Sequence, residues 1–279
     1  MIREIQVSIV ETAVRELIEE AAYHLPEDYL AAMREAQEQE VSDLGQSIIH
    51  TLNRNAAYAK TERVPTCQDT GMAILSLDIG QDVHFSGGSL GEALQSAVRE
   101  AYRPLRKSVV TDPLQRQNTG DNTPAIVSYQ LVAGDQVKIR LMMKGFGAEM
   151  MSRLKMFPPS AGVKGVKRFV VETVELAGPN ACPPVIVGVG LGSSFDGVAM
   201  LAKKALFRPL DQASPQPHLA QLERELLAEI NDLGIGPQGF GGSTTALAVH
   251  VESYPTHIAA LPVAVNLNCS APRRATITI

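Results

Sequence analysis

Cysteine is scarce in this chain: three residues in 279, at positions 67, 182 and 269, separated by 115 and then 87 residues. An odd number so widely spaced makes no disulfide framework, and neither a CxxC pair nor a ferredoxin-like cysteine run occurs. Long hydrophobic runs are missing too. The longest apolar stretch, Cys182 to Phe195, is broken by Pro183, Pro184 and three glycines, which excludes a membrane span of about 20 apolar residues. There is no basic excess: the formal net charge is −5, which argues against nucleic acid as the main partner. The start, Met1-Ile-Arg-Glu-Ile-Gln, has no apolar core of a secretory leader, so a cytoplasmic protein with reduced thiols is expected. Repeats and low-complexity tracts are absent. What remains is 45% apolar and 20% charged residues, an ordinary globular balance with enough chain for one large domain or two small lobes.

Periodicity predicts a helical N-terminal layer over residues 1–62. Val10, Val14, Leu17, Ile18 and Ala21 share one helical face, a short helix follows Pro26, and Val41, Leu44, Ile48 and Leu52 mark a third. From residue 63 the pattern mixes. Alternation predicts a strand over Ala73–Ile79, and Ser86-Gly-Gly-Ser89 a turn and N-cap for a helix from Leu90 to Tyr102. Strands at Ala125–Val132 and Gln136–Met143, joined by Ala133-Gly-Asp135, read as a hairpin. Further helices are expected over Val163–Ala177, from an Asp196 cap to Phe207, and over His218–Leu233. Further strands are expected at Pro184–Val189, Thr244–Val251, Leu261–Asn268 and Arg274–Ile279. The fold class is mixed α/β (α+β): mixed sheets flanked by helices, arranged as two lobes. The last strand-like residues, Thr276-Ile-Thr-Ile279, look made to pair or to continue.

Each cysteine sits at an expected strand–loop boundary beside Pro, Gly or Asn: Pro65-Thr-Cys-Gln-Asp-Thr-Gly71, Gly178-Pro-Asn-Ala-Cys-Pro-Pro184 and Asn266-Leu-Asn-Cys-Ser-Ala-Pro272. Three buried free thiols are the plain reading. Loop settings rich in N–H donors also suit metal-binding thiolates, and three ligands would leave one metal position open, the mark of a catalytic rather than a structural site. Asp69 is either a turn residue or, two positions from such a thiolate, a proton carrier. Gly188-Val-Gly-Leu-Gly192 sits where a dinucleotide fingerprint would, but the third glycine of GxGxxG is missing. Arg103, Arg106, Lys107, Lys144, Arg273 and Arg274 lie near glycine-rich loops and could clamp a small dianion. His257, twelve residues before Cys269, is the histidine that stands out.

Taken together, Cys67-Gln-Asp-Thr-Gly71, Lys144-Gly-Phe-Gly-Ala-Glu149, Cys182-Pro-Pro184, Gly239-Phe-Gly-Gly-Ser-Thr-Thr245 and Leu261-Pro-Val-Ala-Val-Asn-Leu-Asn-Cys269 resemble the iron–sulfur hydro-lyases of the class I fumarase and L-tartrate dehydratase family, in its two-subunit form the α subunit. The resemblance runs through nearly all of residues 5–279 and implies a single 1–279 domain whose part 63–279 binds a [4Fe–4S] cluster. It implies Cys67, Cys182 and Cys269 as ligands, Asp69 as acid/base and His257 as a second catalytic residue near the cluster. It also implies Gln68, Arg106, Gly145 and Gly147 as substrate contacts, although Phe146 stands where single-chain members often carry glycine. The implied partners are a separate β subunit, in an α2β2-like hetero-oligomer, and a C4 dicarboxylate substrate. The implied reaction is fumarate hydration to (S)-malate, a step of the tricarboxylic acid cycle. Conversion of L-tartrate to oxaloacetate is the near alternative, and a non-enzymatic iron–sulfur structural subunit the distant one.

Overall fold

A computed structural model describes residues 2–279. In chain order, β1 (Arg3–Gln6), α1 (Val7–Tyr23), α2 (Glu27–Gln39) and α3 (Asp43–Glu62) precede β2 (Met72–Gly80), β3 (Val83–Ser86), α4 (Leu90–Ala101), β4 (Ile126–Val132) and β5 (Val137–Lys144). Then come α5 (Phe146–Glu149), β6 (Arg153–Phe157), α6 (Gly162–Ala177), β7 (Val185–Ser193), α7 (Phe195–Ala205), α8 (Pro217–Asn231), β8 (Ala246–Thr256), β9 (Leu261–Asn268) and β10 (Arg274–Thr278). The chain divides into two compact units. Unit 1 holds residues up to Pro26, Ala56–Gly145 and Pro272–Ile279; unit 2 holds Glu27–Asn55 and Phe146–Ala271. The N-terminal helices are divided between the units: α1 lies in unit 1, α2 in unit 2, and α3 spans the boundary between Asn55 and Ala56.

Unit 1 is built on a four-stranded sheet in the order β10-β5-β2-β4, beside a parallel β1–β3 pair. The helical stripe expected in α1 is its core-facing side: Val10, Val14, Ile18 and Ala21 are fully buried, with Leu94, Ala97 and Val98 of α4 and Leu75, Leu77, Ile139 and Leu141 of the sheet. Each valine, leucine and isoleucine among them contributes roughly 1.5–3 kcal/mol by leaving water. Ser89 is the N-cap of α4, accepting from Glu92 N at 3.4 Å. The expected hairpin is not one. β4 and β5 lie on opposite sides of β2, parallel and antiparallel to it respectively. Their connection crosses the end of β2, where Gln81 N bonds Val132 O and Gly80 N bonds Gln136 O. A side chain at Gly80 would strike the Gly134 carbonyl, so a glycine marks the crossing. The terminal strand β10 is paired, antiparallel to β5.

Unit 2 repeats the same sequence of pairings, antiparallel, antiparallel, parallel, in the order β6-β9-β7-β8. Val170, Val174, Leu222 and Leu226 of α6 and α8 cover one face, against Val187, Val249 and Val265. Helix α7 covers the other. A side chain at Gly188 or Gly190 would run into the α7 carbonyls of Ala202 and Val198. The glycine run that mimics a nucleotide loop is thus strand interior thinned for close helix contact. The N-cap of α7 is Ser194, not the expected Asp196, which sits in the first turn and accepts from the Ser194 hydroxyl.

Candidate active site

In unit 1 the segment after α3 turns sharply through Thr66–Gly71. Thr66 anchors it to the end of α1, its N–H and hydroxyl both donating to Ala22 O. Gly71 has φ +72°, and a Cβ there would lie 2.6 Å from the Lys144 carbonyl oxygen, so only glycine lets β5 pass. The Asp69 carboxylate then accepts from Gly71 N at 2.9 Å, which fixes its direction. Its second oxygen, Oδ2, faces Gly145: a Cβ at Gly145 would sit 3.1 Å from Oδ2 and 3.3 Å from Arg273 Nη2. Arg273 itself is buried and donates from Nη1 to the Asp69 carbonyl, while its Nε has no hydrogen-bond partner. A buried guanidinium beside a carboxylate is an electrostatic anchor, and the bare N–H is costly unless the setting is polar.

Two side chains that the sequence reading passed over complete this loop. The Tyr102 hydroxyl donates to Thr70 O at 3.1 Å, with Gly71 O at 3.3 Å. Burial pushes its phenol well above the usual range, with Arg273 opposing and Asp69 adding to the rise, so it stays a neutral donor. Asn122, fully buried, donates to Gly71 O at 3.1 Å and accepts from Ser108 N and Val109 N. Thr70 Oγ1 donates to Arg106 O at 2.7 Å, which ties the exposed Arg106 to the same loop. The structure therefore groups Cys67, Gln68, Asp69, Arg106 and Gly145 in unit 1. Cys67 is half-buried, with its thiol 3.6 Å from Gln68 Oε1, and Gln68 is exposed.

In unit 2, Cys182 ends the turn Gly178–Ala181 in a left-handed conformation, φ +53°, and is exposed. β7 begins three residues later, and antiparallel β9 ends beside it, Ile186 opposite Asn268. That register brings Cys269 to the same end: Ser270 N donates to Cys182 O at 3.0 Å. Gln238, in a further tight turn, latches both segments, its Nε2 reaching Pro183 O at 2.7 Å and Ser270 Oγ at 3.0 Å. Tyr29 donates to Ser270 O at 2.6 Å; burial first, and the neighbouring Cys269 second, push its phenol far above the usual range. Gly147 is here too, 3.5 Å from Asn180 O at the position a Cβ would take. Glu149 joins its segment to β9 by accepting from Asn266 Nδ2 at 2.7 Å, and to α7 by accepting from Lys203.

His257 does not belong to this group. β8 runs the length of β7, from Ala246 beside Val185 to Thr256 beside Ser193. His257 follows it, roughly 25–30 Å from the cysteine end at about 3.3 Å per residue. There it sits exposed in a turn, with Nδ1 accepting from Ala259 N at 3.2 Å. Within unit 2 the twelve residues from His257 to Cys269 are mostly strand β9, and a strand carries its ends apart.

Over 268 positions, residues 11–278, the sequence matches the family profile described as fumarate hydratase (Fumerase). The chain belongs to the fumarate hydratase family. Relatives agree: the putative L(+)-tartrate dehydratase subunit alpha of Methanocaldococcus jannaschii is 40% identical over 274 residues, covering 95% of this chain and 96% of that one. The L(+)-tartrate dehydratase subunit alpha of Escherichia coli K12 is 36% identical over 261 residues, covering 91% and 86%. Among the described residues no group of three His, Cys, Asp or Glu side chains stands assembled as a metal site. The donor chemistry nevertheless suits a thiolate-held cluster in this family. Cys182 and Cys269 lie on hydrogen-bonded segments at one end of unit 2, Cys182 exposed and Cys269 half-buried against the core, and Cys67 lies half-buried in a turn of unit 1. A cavity of about 410 Å³ in unit 2 is lined by Ala36, Leu227, Ser243 and Thr244 and by no cysteine, so it is not the place for this chemistry.

Proposed function

We infer that the chain is the α subunit of a two-subunit hydro-lyase for C4 dicarboxylates. Its reaction is reversible hydration of fumarate to (S)-malate, with a [4Fe–4S] cluster held by Cys67, Cys182 and Cys269. One observation carries the reading: β7 and β9 bring Cys182 and Cys269 together in a chain that belongs to the fumarate hydratase family. The relatives named as alpha subunits support a β partner.

When bound, the cluster supplies a Lewis acid for a substrate carboxylate and hydroxyl. The chain's own residues supply the rest. Asp69, aimed by Gly71 N–H and bordered by Arg273, takes or returns the C–H proton at Oδ2, on the side of Gly145. Arg106, exposed and tethered through Thr70, binds a substrate carboxylate, and Gln68 binds a substrate oxygen. Gly145 and Gly147 bring backbone N–H groups to the substrate.

The relatives' names favour a second reading, dehydration of L-tartrate to oxaloacetate. Anaerobic assay of the chain purified with its β subunit separates them. Fumarate hydration at rates well above those with L-tartrate is expected. Activity confined to tartrate would install the second reading, and no turnover with either acid would leave a structural subunit.

A further inference from the structure

The outer strands of the two four-stranded sheets differ in how they are guarded. β6 carries Arg153 and Lys155, β8 carries Glu252 and Pro255 with two irregular register steps, and β10 carries Arg274. Charges, proline and irregularities are the usual means by which an edge strand avoids pairing with another chain. β4 has none of them. Its seven residues, Ile126-Val-Ser-Tyr-Gln-Leu-Val132, include no charge and no proline, and its register with β2 is unbroken from Ile126 to Val132. It is the end strand of its sheet among the described residues. Ile126, Tyr129 and Leu131 are 50%, 54% and 72% exposed, a heavy apolar load for a strand left in water.

The order of residues in β4 selects the occupant. A twofold axis requires a surface that complements itself. Laid antiparallel on a second copy about Tyr129, Ile126 meets Val132′, Val127 meets Leu131′, Ser128 meets Gln130′ and Tyr129 meets Tyr129′. Apolar faces apolar, polar faces polar, and no like charges are brought together, which a twofold axis would impose on any charged edge. Val127, Tyr129 and Leu131 pair with Leu75, Leu77 and Ile79 of β2 and so share the helix-covered face of the sheet. Self-pairing would continue that apolar layer across the axis.

We propose that β4 is a homotypic interface, joining two copies of this chain through antiparallel β4–β4′ pairing centred on Tyr129 into one eight-stranded sheet. The interface is independent of the reaction assigned above and does not use the cysteines.

Cysteine substitution in the full chain tests both contact and register. Residues directly opposite in antiparallel strands have Cα atoms about 4.5–5.5 Å apart, within the reach of a disulfide. Tyr129→Cys should therefore give a covalent dimer under mild oxidation at least about tenfold faster than wild type. Leu131→Cys should not, because its own counterpart lies about four residues, roughly 13 Å, along the partner strand. As a second readout, Leu131→Lys should lower the molar mass by light scattering, each released copy of this chain keeping its partner so that the ratio of the two chains is unchanged. Equal cross-linking by the two cysteine variants, or a Leu131→Lys protein of unchanged mass, overturns the proposal. So does selective loss of a different protein while the copies of this chain stay joined, which would make β4 the seat of another partner.

Discussion

Replacing Gly71 with alanine puts the packing of the Asp69 loop to a severe test. Gly71 has φ +72°, and the added Cβ would lie 2.6 Å from Lys144 O and 2.7 Å from Lys144 C, both backbone atoms that cannot rotate away. Holding a non-glycine residue in the left-handed region costs roughly 1–2 kcal/mol. Relieving the contact to about 3.4 Å requires a shift of roughly 0.8 Å, and overpacking of this kind costs about another 1–2 kcal/mol. The sum is about 2–4 kcal/mol, or roughly 5–15 °C in melting temperature for a domain of this size. The shift also moves the N–H that aims Asp69, and a misplacement near 1 Å lowers turnover by about 10². Thermal melting followed by circular dichroism, with turnover measured on the same preparation, reads both effects. A Gly71→Ala protein that melts within about 1 °C of wild type and turns over normally would refute this account of the loop.

Asp69→Asn keeps the loop's shape and removes the proton carrier; turnover should fall by about 10²–10⁴ with iron content unchanged, measured by kinetics and metal analysis. Glu40 accepts N–H bonds from Ser42, Ser243 and Thr244 at 3.0, 2.8 and 2.8 Å. Burial opposes its ionisation, but those donors outweigh it and hold its carboxyl below the usual range. The stabilisation that this depression represents is complete above the ordinary glutamate range and is lost as pH falls through the depressed folded value. The gap in melting temperature between wild type and Glu40→Gln should thus be wide at pH 7 and narrow in acid; a constant gap would contradict the linkage. His257→Ala should retain a full iron and sulfide load, because His257 and the cysteine pair occupy opposite ends of one sheet.

Local signals were legible where the physics is local. The stripe of α1, the Ser89 cap and the buried strand β7 follow from spacing alone. β6, short and carrying Arg153 and Lys155, lacks an apolar run and left no such signal. The β4–β5 hairpin failed because pairing through β2 is a long-range choice that a turn sequence does not encode. At the site, Cys67, Asp69, Cys182 and Cys269 were visible as motif residues. Tyr102, Asn122 and Gln238 were not, since each works by bonding backbone that is distant in sequence. Arg273 appeared only as one basic residue among several, and burial alone singles it out.

The central claim is that three thiolates, two of them joined by the β7–β9 ladder, hold a cluster that meets a C4 acid directly. The electron paramagnetic resonance spectrum of the reduced, anaerobically reconstituted complex, recorded with and without (S)-malate, addresses it most directly. A cluster signal whose g values move on adding malate, and which is absent from Cys182→Ser, is the predicted result. A signal indifferent to malate, or one that survives loss of Cys182, would contradict it.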